Sequence, residues 1–402
     1  MEEPIFNPIK IRRRRRLVFL FILILLFTPF WMFLAWYFQP DKPIRTIIID
    51  KTVSDLPRQE HRGFNWILTY YRFTKTDKNL YNIYENYFGF FPIPPLEPIE
   101  NRKFEIHDFE DYTFEQLDSI CKITDMIYFA DNYGVYRNEW YLDTLETEHS
   151  PKVYGGLTEK EVYIAKNLKL QNKLIISEFN TFCSPTPQYI RESFENLFDL
   201  KWTQWTCRYF DMLDTLKNPE LPRWVVNLYK QQHNGEYPFH NAGLVYVHEN
   251  STLFILEDKT HLNIETPFIH TSAKYQEIYD LPDSIHYPFW FDITFSGDSN
   301  EVVSQYKIYP NHAGDSILNV YGVPKISDAV IEHLKPYTFY YFAGDYIDNP
   351  VRNYTSYLKG IRLFDFFLYN NDLNDRTKFF WKFYTPLVSK IMLDYYNSDL
   401  KK

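Results

Sequence analysis

Cysteine is scarce in this chain of 402 residues, which contains only Cys121, Cys183 and Cys207. Three cysteines cannot form a fully paired disulfide framework, although one bridge is open to them. The sequence has no Cys-x-x-Cys motif, and its histidines and cysteines do not follow the spacing of a zinc site. We therefore expect neither a structural metal nor a cofactor.

Positive charge is also scarce outside the N-terminus. Residues 1–16 carry a net charge of +4 and residues 39–402 carry −13, so that the whole chain has −9. Proteins bind DNA and RNA largely by neutralising phosphates with lysine and arginine. The acidic composition therefore excludes nucleic acid as a partner.

Aromatic residues, by contrast, make up 19% of the chain, with 34 Tyr, 35 Phe and 9 Trp. Rigid rings on a surface give contact area at low entropic cost, which suits stacking on sugars. Rings of the same types also fill ordinary cores. Composition alone leaves both interpretations open.

The N-terminus has the pattern of a signal anchor. Residues 12–16 are five arginines, and residues 17–38 form an uncharged, strongly apolar segment. At about 1.5 Å per residue such a segment is long enough to cross a bilayer. The arginines predict that residues 1–16 are cytoplasmic. The protein would then cross a bacterial inner membrane once, with its C-terminal domain on the outer side. Membrane lipid is thus one expected partner.

The next part of the chain predicts an α/β domain over residues 44–215. Compact apolar runs at 46–50, 125–131, 173–180 and 202–211 are typical of strands buried on both faces of a parallel sheet. Capping boxes at Thr113 to Gln116 and Thr158 to Glu161 start helices between them. We therefore predict a doubly wound, mostly parallel sheet.

Other segments are assigned more coarsely. Residues 74–112 are Pro-rich and indicate an insertion that wraps the domain without regular structure. Residues 216–346 are rich in strand patterns, and they either extend the same sheet or form a second lobe. Residues 347–402 are predicted to be helical, with an interruption near Pro386.

The first lobe resembles the class I glutamine-amidotransferase-like superfamily, a flavodoxin-like fold. The resemblance rests on the runs "TIIIDK", "DMIYFAD" and "LTEKEVYIAKNLKLQNKLIISEFN", and it covers about 170 residues. In a working amidotransferase a nucleophilic cysteine sits at a tight elbow after a strand, served by a His and a Glu two residues apart. Here Cys183 has Phe182 and Ser184 as neighbours, and His248 is followed directly by Glu249. The resemblance thus implies the fold without the amidotransferase reaction.

The strand ends supply the candidate site. Ligands of open α/β sheets bind beyond the carboxyl ends of the strands, and three of the apolar runs end in acids. The candidates for acid–base catalysis are Asp131 and Glu178, and those for ligand binding are Asp50, Asn180, Tyr133 and Trp205. Asp292 and Asp345 are further acids associated with strands, although acids there also form turns.

Two functions follow from this sequence. The first is a membrane-anchored binding or assembly protein of the cell envelope, whose partner is an envelope glycan or a membrane protein complex. The alternative is an enzyme that acts on envelope polysaccharide, with Asp131 and Glu178 as its acid and base. Whether the chain is an enzyme stays open at this point.

Overall fold

The computed structural model describes residues 27–141 and 150–400, together with Arg16 and Phe19. Its strands are β1 Lys42–Pro43, β2 Thr46–Asp50, β3 Phe73–Thr74, β4 Phe88–Ile93, β5 Lys103–His107, β6 Met126–Asp131, β7 Val135–Tyr136, β8 Lys152–Tyr154, β9 Leu174–Glu178, β10 Leu200–Phe210, β11 Gly243–His248, β12 Leu253–Glu257, β13 Leu262–Thr271, β14 Ser284–His286, β15 Phe291–Ser296, β16 Glu301–Pro310, β17 Ile326–His333 and β18 Thr338–Phe342. Its helices are α1 Thr28–Tyr37, α2 Arg62–Tyr70, α3 Phe114–Ile123, α4 Arg137–Tyr141, α5 Glu159–Leu170, α6 Gln188–Phe198, α7 Arg223–Gln232, α8 Ala273–Tyr279, α9 His312–Tyr321, α10 Arg376–Phe379 and α11 Thr385–Tyr395.

One sheet of 14 strands runs through the described residues. Its main path is β12, β11, β10, β15, β17, β18, β9, β6, β2, β4 and β5, and β16 joins β13 and β14 to β17. Parallel pairing is confined to the consecutive strands β18, β9, β6, β2 and β4. The strands on either side pair antiparallel. The prediction of a mostly parallel sheet is therefore wrong, and the sheet is mixed.

The lengths of the connections between strands explain why the sheet contains both parallel and antiparallel pairs. Short turns can join only antiparallel neighbours, and such a turn links β11 to β12. Longer segments that contain α3 and α5 carry the chain between β2, β6 and β9. The run at 202–211 does form a strand, β10, but β10 pairs antiparallel with β11 and β15. The place beside β9 is taken by β18, which comes from the second half of the chain. The β-rich half thus extends the same sheet.

The Pro-rich segment 74–112 is more regular than predicted. Within it, β4 pairs parallel with β2, and β5 pairs antiparallel with β4. These two strands form one edge of the sheet. The prediction of an insertion without regular elements was wrong. Pro92 of β4 lies beyond Phe88 and Gly89, the two residues that pair with β2, so on that side it makes no ladder hydrogen bonds and is tolerated in the strand.

Apolar side chains on both faces of the parallel strands form the core. The three isoleucines of β2, for example, are at most 6% exposed. Both predicted capping boxes are present: Thr113 caps α3 with Gln116, and Thr158 caps α5 with Glu161. These helices cross over one face of the parallel strands, and α2 packs on the other, with the ring of Phe64 4.4 Å from that of Tyr128 in β6. Because both faces are covered, the strands read as continuous apolar runs.

The helix α1 bears on the prediction of an N-terminal membrane anchor. It has ten residues and ends at Tyr37. Its Trp36 is buried in the protein, where the indole N–H donates to the Thr69 carbonyl at 2.9 Å and the ring lies 4.6 Å from that of Tyr357. Residues 1–15, 17, 18 and 20–26 lie outside the described residues. No helix in the part of the chain that the structure describes has the length and apolarity to cross a membrane. Within the described residues this finding contradicts the predicted transmembrane helix over 17–38 and the single-pass localisation, and residues 17, 18 and 20–26 of that prediction lie outside the described residues.

The C-terminal segment is helical and irregular at the predicted point. A π-helical turn, Phe380–Tyr384, separates α10 from α11, and Pro386 is the second residue of α11. Proline lacks an N–H and its ring crowds the carbonyl four residues earlier, so a wider turn before it relieves the clash. The turn packs on α2, with Trp381 5.1 Å from the ring of Trp66.

Substitution of Gly89 tests the tight contact between β2 and β4. Gly89 has a φ of +148°, and a Cβ added there would lie 1.6 Å from the carbonyl oxygen of Asp50. We expect Gly89→Ala to cost several kcal/mol of stability, measured by thermal denaturation. Gly235→Ala is the matched control, because its φ is also positive at +84° but nothing lies within 4 Å. It should cost about 1 kcal/mol, and equal losses in the two variants would contradict the steric explanation.

Candidate functional site

Four carboxylate-bearing chain segments meet at one edge of the sheet. Asp50, Asp131 and Glu178 end the neighbouring parallel strands β2, β6 and β9, and Asp345 follows β18 by three residues. Asp50 and Asp131 are register partners. The sequence predicted the first three at a common edge. For Asp345 the sequence left both the same cleft and a simple turn open, because the position of β18 beside β9 depends on pairing across half of the chain. We call this set the carboxylate edge.

Asp50 is fully buried and bonded to a histidine that the sequence did not single out. The Nδ1 atom of His61 lies 2.6 Å from Oδ2 of Asp50, and its Nε2 lies 2.8 Å from the carbonyl oxygen of Ile83. A carbonyl only accepts, so Nε2 carries a proton. A second proton must then lie between Nδ1 and the carboxylate, on one partner or the other. Both side chains are at most 1% exposed, so this bond fixes Asp50 and His61 to each other inside the protein.

Asp131 is half-buried and holds its proton more firmly than an ordinary aspartate. Burial raises the pKa of its carboxyl group well above the usual range, and the charges of Asp345 and Asp50 raise it further. The amide of Tyr133 donates to Oδ1 at 2.6 Å, which opposes that shift. Asp131 can therefore offer an O–H donor at a pH where most aspartates only accept.

Glu178 is committed to the protein itself. Its Oε2 accepts from the backbone amides of Tyr346 and Ile347, each at 2.9 Å, and its Oε1 accepts from the hydroxyl of Tyr128. The side chain is 0% exposed, and burial raises its pKa well above the usual range. Both oxygens are engaged, so Glu178 ties β9 to the chain after β18 and does not face an open groove.

A buried arginine stabilises the acids that follow β18. Nη1 of Arg376 lies 2.9 Å from Oδ2 of Asp345 and 3.1 Å from Oδ2 of Asp348, and the guanidinium lies 4.4 Å from the ring centre of Phe289. Burial raises the pKa of Asp345 to about 7, against the lowering effect of Arg376. The sequence gave no sign that Arg376 pairs with Asp345, because the two residues are 31 positions apart and Arg376 lies in α10.

Glu60 is another acid that sequence reasoning missed. Burial and then the charges of Asp50 and Asp348 raise its pKa well above the usual range. Its Oε2 is buried and has no hydrogen-bond partner among the described residues. In those residues, no group of three or more His, Cys, Asp or Glu side chains is arranged to hold a metal ion. The contacts that offset the charge of these acids are those of His61 with Asp50 and of Arg376 with Asp345 and Asp348.

The remaining predicted ligand-binding residues lie in different places. Tyr133 is at the carboxylate edge, half-buried, with its ring 4.8 Å from that of Tyr136. Asn180 follows β9 in a left-handed conformation, with a φ of 61°, and is 8% exposed. Trp205 packs in β10, 4.8 Å from the ring of His248 and 5.2 Å from that of Phe254. The structure thus brings Tyr133 to the acids and places Trp205 in the core of the second half.

Cys183 has an acid, not a histidine, as its neighbour. Its thiol donates to Oδ2 of Asp292 at 3.6 Å, and that carboxylate also accepts from the hydroxyls of Thr294 and Tyr341. Burial and the nearby Asp292 raise the pKa of the thiol well above its usual value. The nucleophilic form of cysteine is the thiolate, so this environment opposes activation.

The histidine considered for the triad, His248, ends β11 and lies against Trp205. Its neighbour Glu249 binds Arg191 at 2.6 Å. His248 is thus the last residue of β11 and Glu249 begins the turn to β12, whereas the thiol of Cys183 bonds to Asp292. The geometry around Cys183 is not that of a Cys–His–Glu triad.

Comparison with protein-family models finds no match, and comparison with curated proteins finds none either. Among solved structures, a ThuA-like protein from Bacteroides uniformis ATCC 8492 is similar with a TM-score of 0.32 and 11% sequence identity. The match covers 84% of this chain and 97% of that protein. At that TM-score the likeness carries no conclusion about fold or function.

Titration of Asp292 makes stability depend on pH. Burial raises the pKa of this fully buried acid to about 7, whereas an unfolded aspartate has a pKa near 4. Between about pH 4 and 7 the folded state therefore binds more protons than the unfolded state. As the pH rises through this range, the free energy of unfolding falls by up to about 1.4 kcal/mol per pH unit. Asp292→Asn cannot titrate, so its stability should fall less steeply with pH.

Urea denaturation at pH 5, 6, 7 and 8 measures these slopes. Asp111→Asn, at an exposed position, is the control and should keep the slope of the natural protein. Identical slopes in all three proteins would show that Asp292 is ionised throughout.

Removal of Glu178 should act on stability. Glu178→Ala leaves two backbone amides and the hydroxyl of Tyr128 without an acceptor, at about 1–3 kcal/mol for each unsatisfied group. We expect a total loss of at least about 3 kcal/mol in urea denaturation, and a smaller loss for Glu178→Gln, which keeps one acceptor oxygen. The control Glu236→Ala is exposed and should change stability by less than about 0.5 kcal/mol. A fully stable Glu178→Ala would contradict the tethering role.

Proposed function

We propose that this chain is a glycan-binding protein whose α/β half keeps an amidotransferase-like arrangement without the amidotransferase reaction. The observation that carries the proposal is the carboxylate edge. There Asp131, whose pKa burial raises well above the usual range, lies beside the Asp50–His61 pair, at the end of the parallel strands where open α/β sheets bind ligands.

Hydroxyl groups suit this edge chemically. Each sugar hydroxyl both donates and accepts, and the edge offers both kinds of partner: an O–H on Asp131 and carboxylate oxygens nearby. The half-buried rings of Tyr133 and Tyr136 lie next to Asp131, and such rings can pack on the apolar face of a sugar. The low charge of most glycans also avoids repulsion from an acidic protein.

The state of Glu178 favours binding over the catalytic alternative. A glycosidase of the common kind needs two carboxyl groups that face the scissile bond. Glu178 has both oxygens occupied by donors of the protein. The raised pKa of the Cys183 thiol likewise supports the absence of amidotransferase chemistry.

Titration of the full chain with cello- and chito-oligosaccharides, followed by calorimetry, tests the proposal. We expect at least one series to bind, with Asp131→Asn and Tyr133→Ala each raising Kd about tenfold and the control Asp111→Asn leaving it unchanged. Absence of binding in both series, or binding that neither variant weakens, would overturn the proposal. Analysis of the same mixtures for shortened chains decides the alternative, because cleavage would make the protein an enzyme.

A further inference from the structure

A second cavity lies apart from the carboxylate edge. It has a volume of about 800 Å³ and is formed by the end of α2, the residues between α8 and β14, the chain around 359–365 and the C-terminal helices. This volume lies within the range of about 300–1,000 Å³ that is common for small-molecule sites. None of its lining residues belongs to the carboxylate edge. We call it the basic groove because of the charges described next.

The charge of the groove is opposite to that of the protein. Its lining includes four permanent cations against two carboxylates: Lys359, Arg362, Lys378 and Lys382 against Asp280 and Asp365. The chain as a whole has 52 acidic and 43 basic residues. A local excess of cations in an acidic protein concentrates anions at that point.

Lys359 is held in place without a counter-ion. Its ammonium lies 4.9 Å from the ring centre of Tyr70 and 5.1 Å from that of Tyr71, and it makes no ion pair with any described residue. Burial lowers its pKa, which shows that the charge is partly desolvated. The backbone is fixed by bonds from the Lys359 amide to the Met32 carbonyl and from the Gly360 amide to the Tyr70 hydroxyl. A cation that is half-buried and fixed in this way gains most from an incoming anion.

Two more cations of the groove are only weakly compensated. Lys378 donates to the neutral side chain of Asn371 at 2.8 Å, and the charge of Lys378 contributes, after burial, to a lowered pKa of His286. Arg362 lies 3.8 Å from Asp280, an acid whose side chain is 92% exposed. Lys382 differs, since it binds both oxygens of Asp365 at 3.0 Å. Lys359, Lys378 and Arg362 therefore remain available to a ligand.

We propose that the basic groove binds a small, multiply charged anion whose charged groups are phosphates or carboxylates, and that Lys359, Lys378 and Arg362 contact those groups. Lysine and arginine are the usual partners of both groups, and arginine can bind either one through two parallel hydrogen bonds. Leu281, Pro282 and Leu363 give the groove an apolar wall on which the uncharged part of such a molecule packs. This site is independent of the proposed glycan site.

Calorimetric titration of the full chain with pyrophosphate, and separately with citrate, tests this proposal. We expect at least one anion to bind with a Kd below about 1 mM. Tighter binding of pyrophosphate identifies phosphate as the preferred group, and tighter binding of citrate identifies carboxylate. Lys359→Met and Lys378→Met keep the aliphatic stem and should each raise Kd about tenfold. Lys359→Arg restores the charge and should bind nearly as the natural protein does.

Lys230→Met is the matched control, because it removes the same charge from an exposed position outside the groove. It should leave Kd within twofold, as should Asp131→Asn, which separates this result from that of the glycan experiment. Failure of both anions to bind, or equal weakening by Lys359→Met and Lys230→Met, would overturn the proposal. Thermal denaturation of each variant confirms that a loss of binding is not a loss of folding.

Discussion

The bonds from the amides of Tyr346 and Ile347 to Glu178 hold the two halves of this protein together at the functional edge. They fix the chain just after β18, the strand from the second half that pairs parallel with β9. Because β18 is held there, Asp345 reaches the edge and meets Arg376. Without this tether, the sheet would still have its strands, but the fourth acid and its arginine would lack a defined position.

Concentrating acids at one edge is costly, since like charges in a poorly solvated place repel each other. The structure reduces that cost in different ways at different residues. Asp131 and Asp345 have raised pKa values, so each carries a proton to a higher pH than usual. Asp50 shares a proton with His61, and Asp345 and Asp348 share Arg376. The result is an edge with both donors and acceptors, a property that suits a hydroxylated ligand better than a highly charged one.

The basic groove completes this electrostatic picture. Acids and protons gather beyond the ends of the parallel strands, while cations gather between the end of α2 and the C-terminal helices. The groove shares no lining residue with the carboxylate edge, although α10 carries both Arg376, which binds Asp345, and Lys378 of the groove. The two proposals together describe a binding protein with separate sites for a hydroxylated ligand and for an anion.

The sequence by itself determined the local features: the apolar runs of β2, β6 and β9, the capping boxes at Thr113 and Thr158, the break before Pro386 and the shared edge of Asp50, Asp131 and Glu178. These depend on side-chain periodicity and backbone hydrogen bonds within a few residues. Tertiary structure decided the direction of β10, the insertion of β18, the partners His61 and Arg376, and the burial of Trp36 and Trp205. An apolar run is equally suited to a parallel sheet, an antiparallel sheet or a membrane, because burial satisfies it in each. Only contacts between residues far apart in the chain distinguish these outcomes, and they also decide whether an acid such as Glu178 faces a ligand or its own backbone.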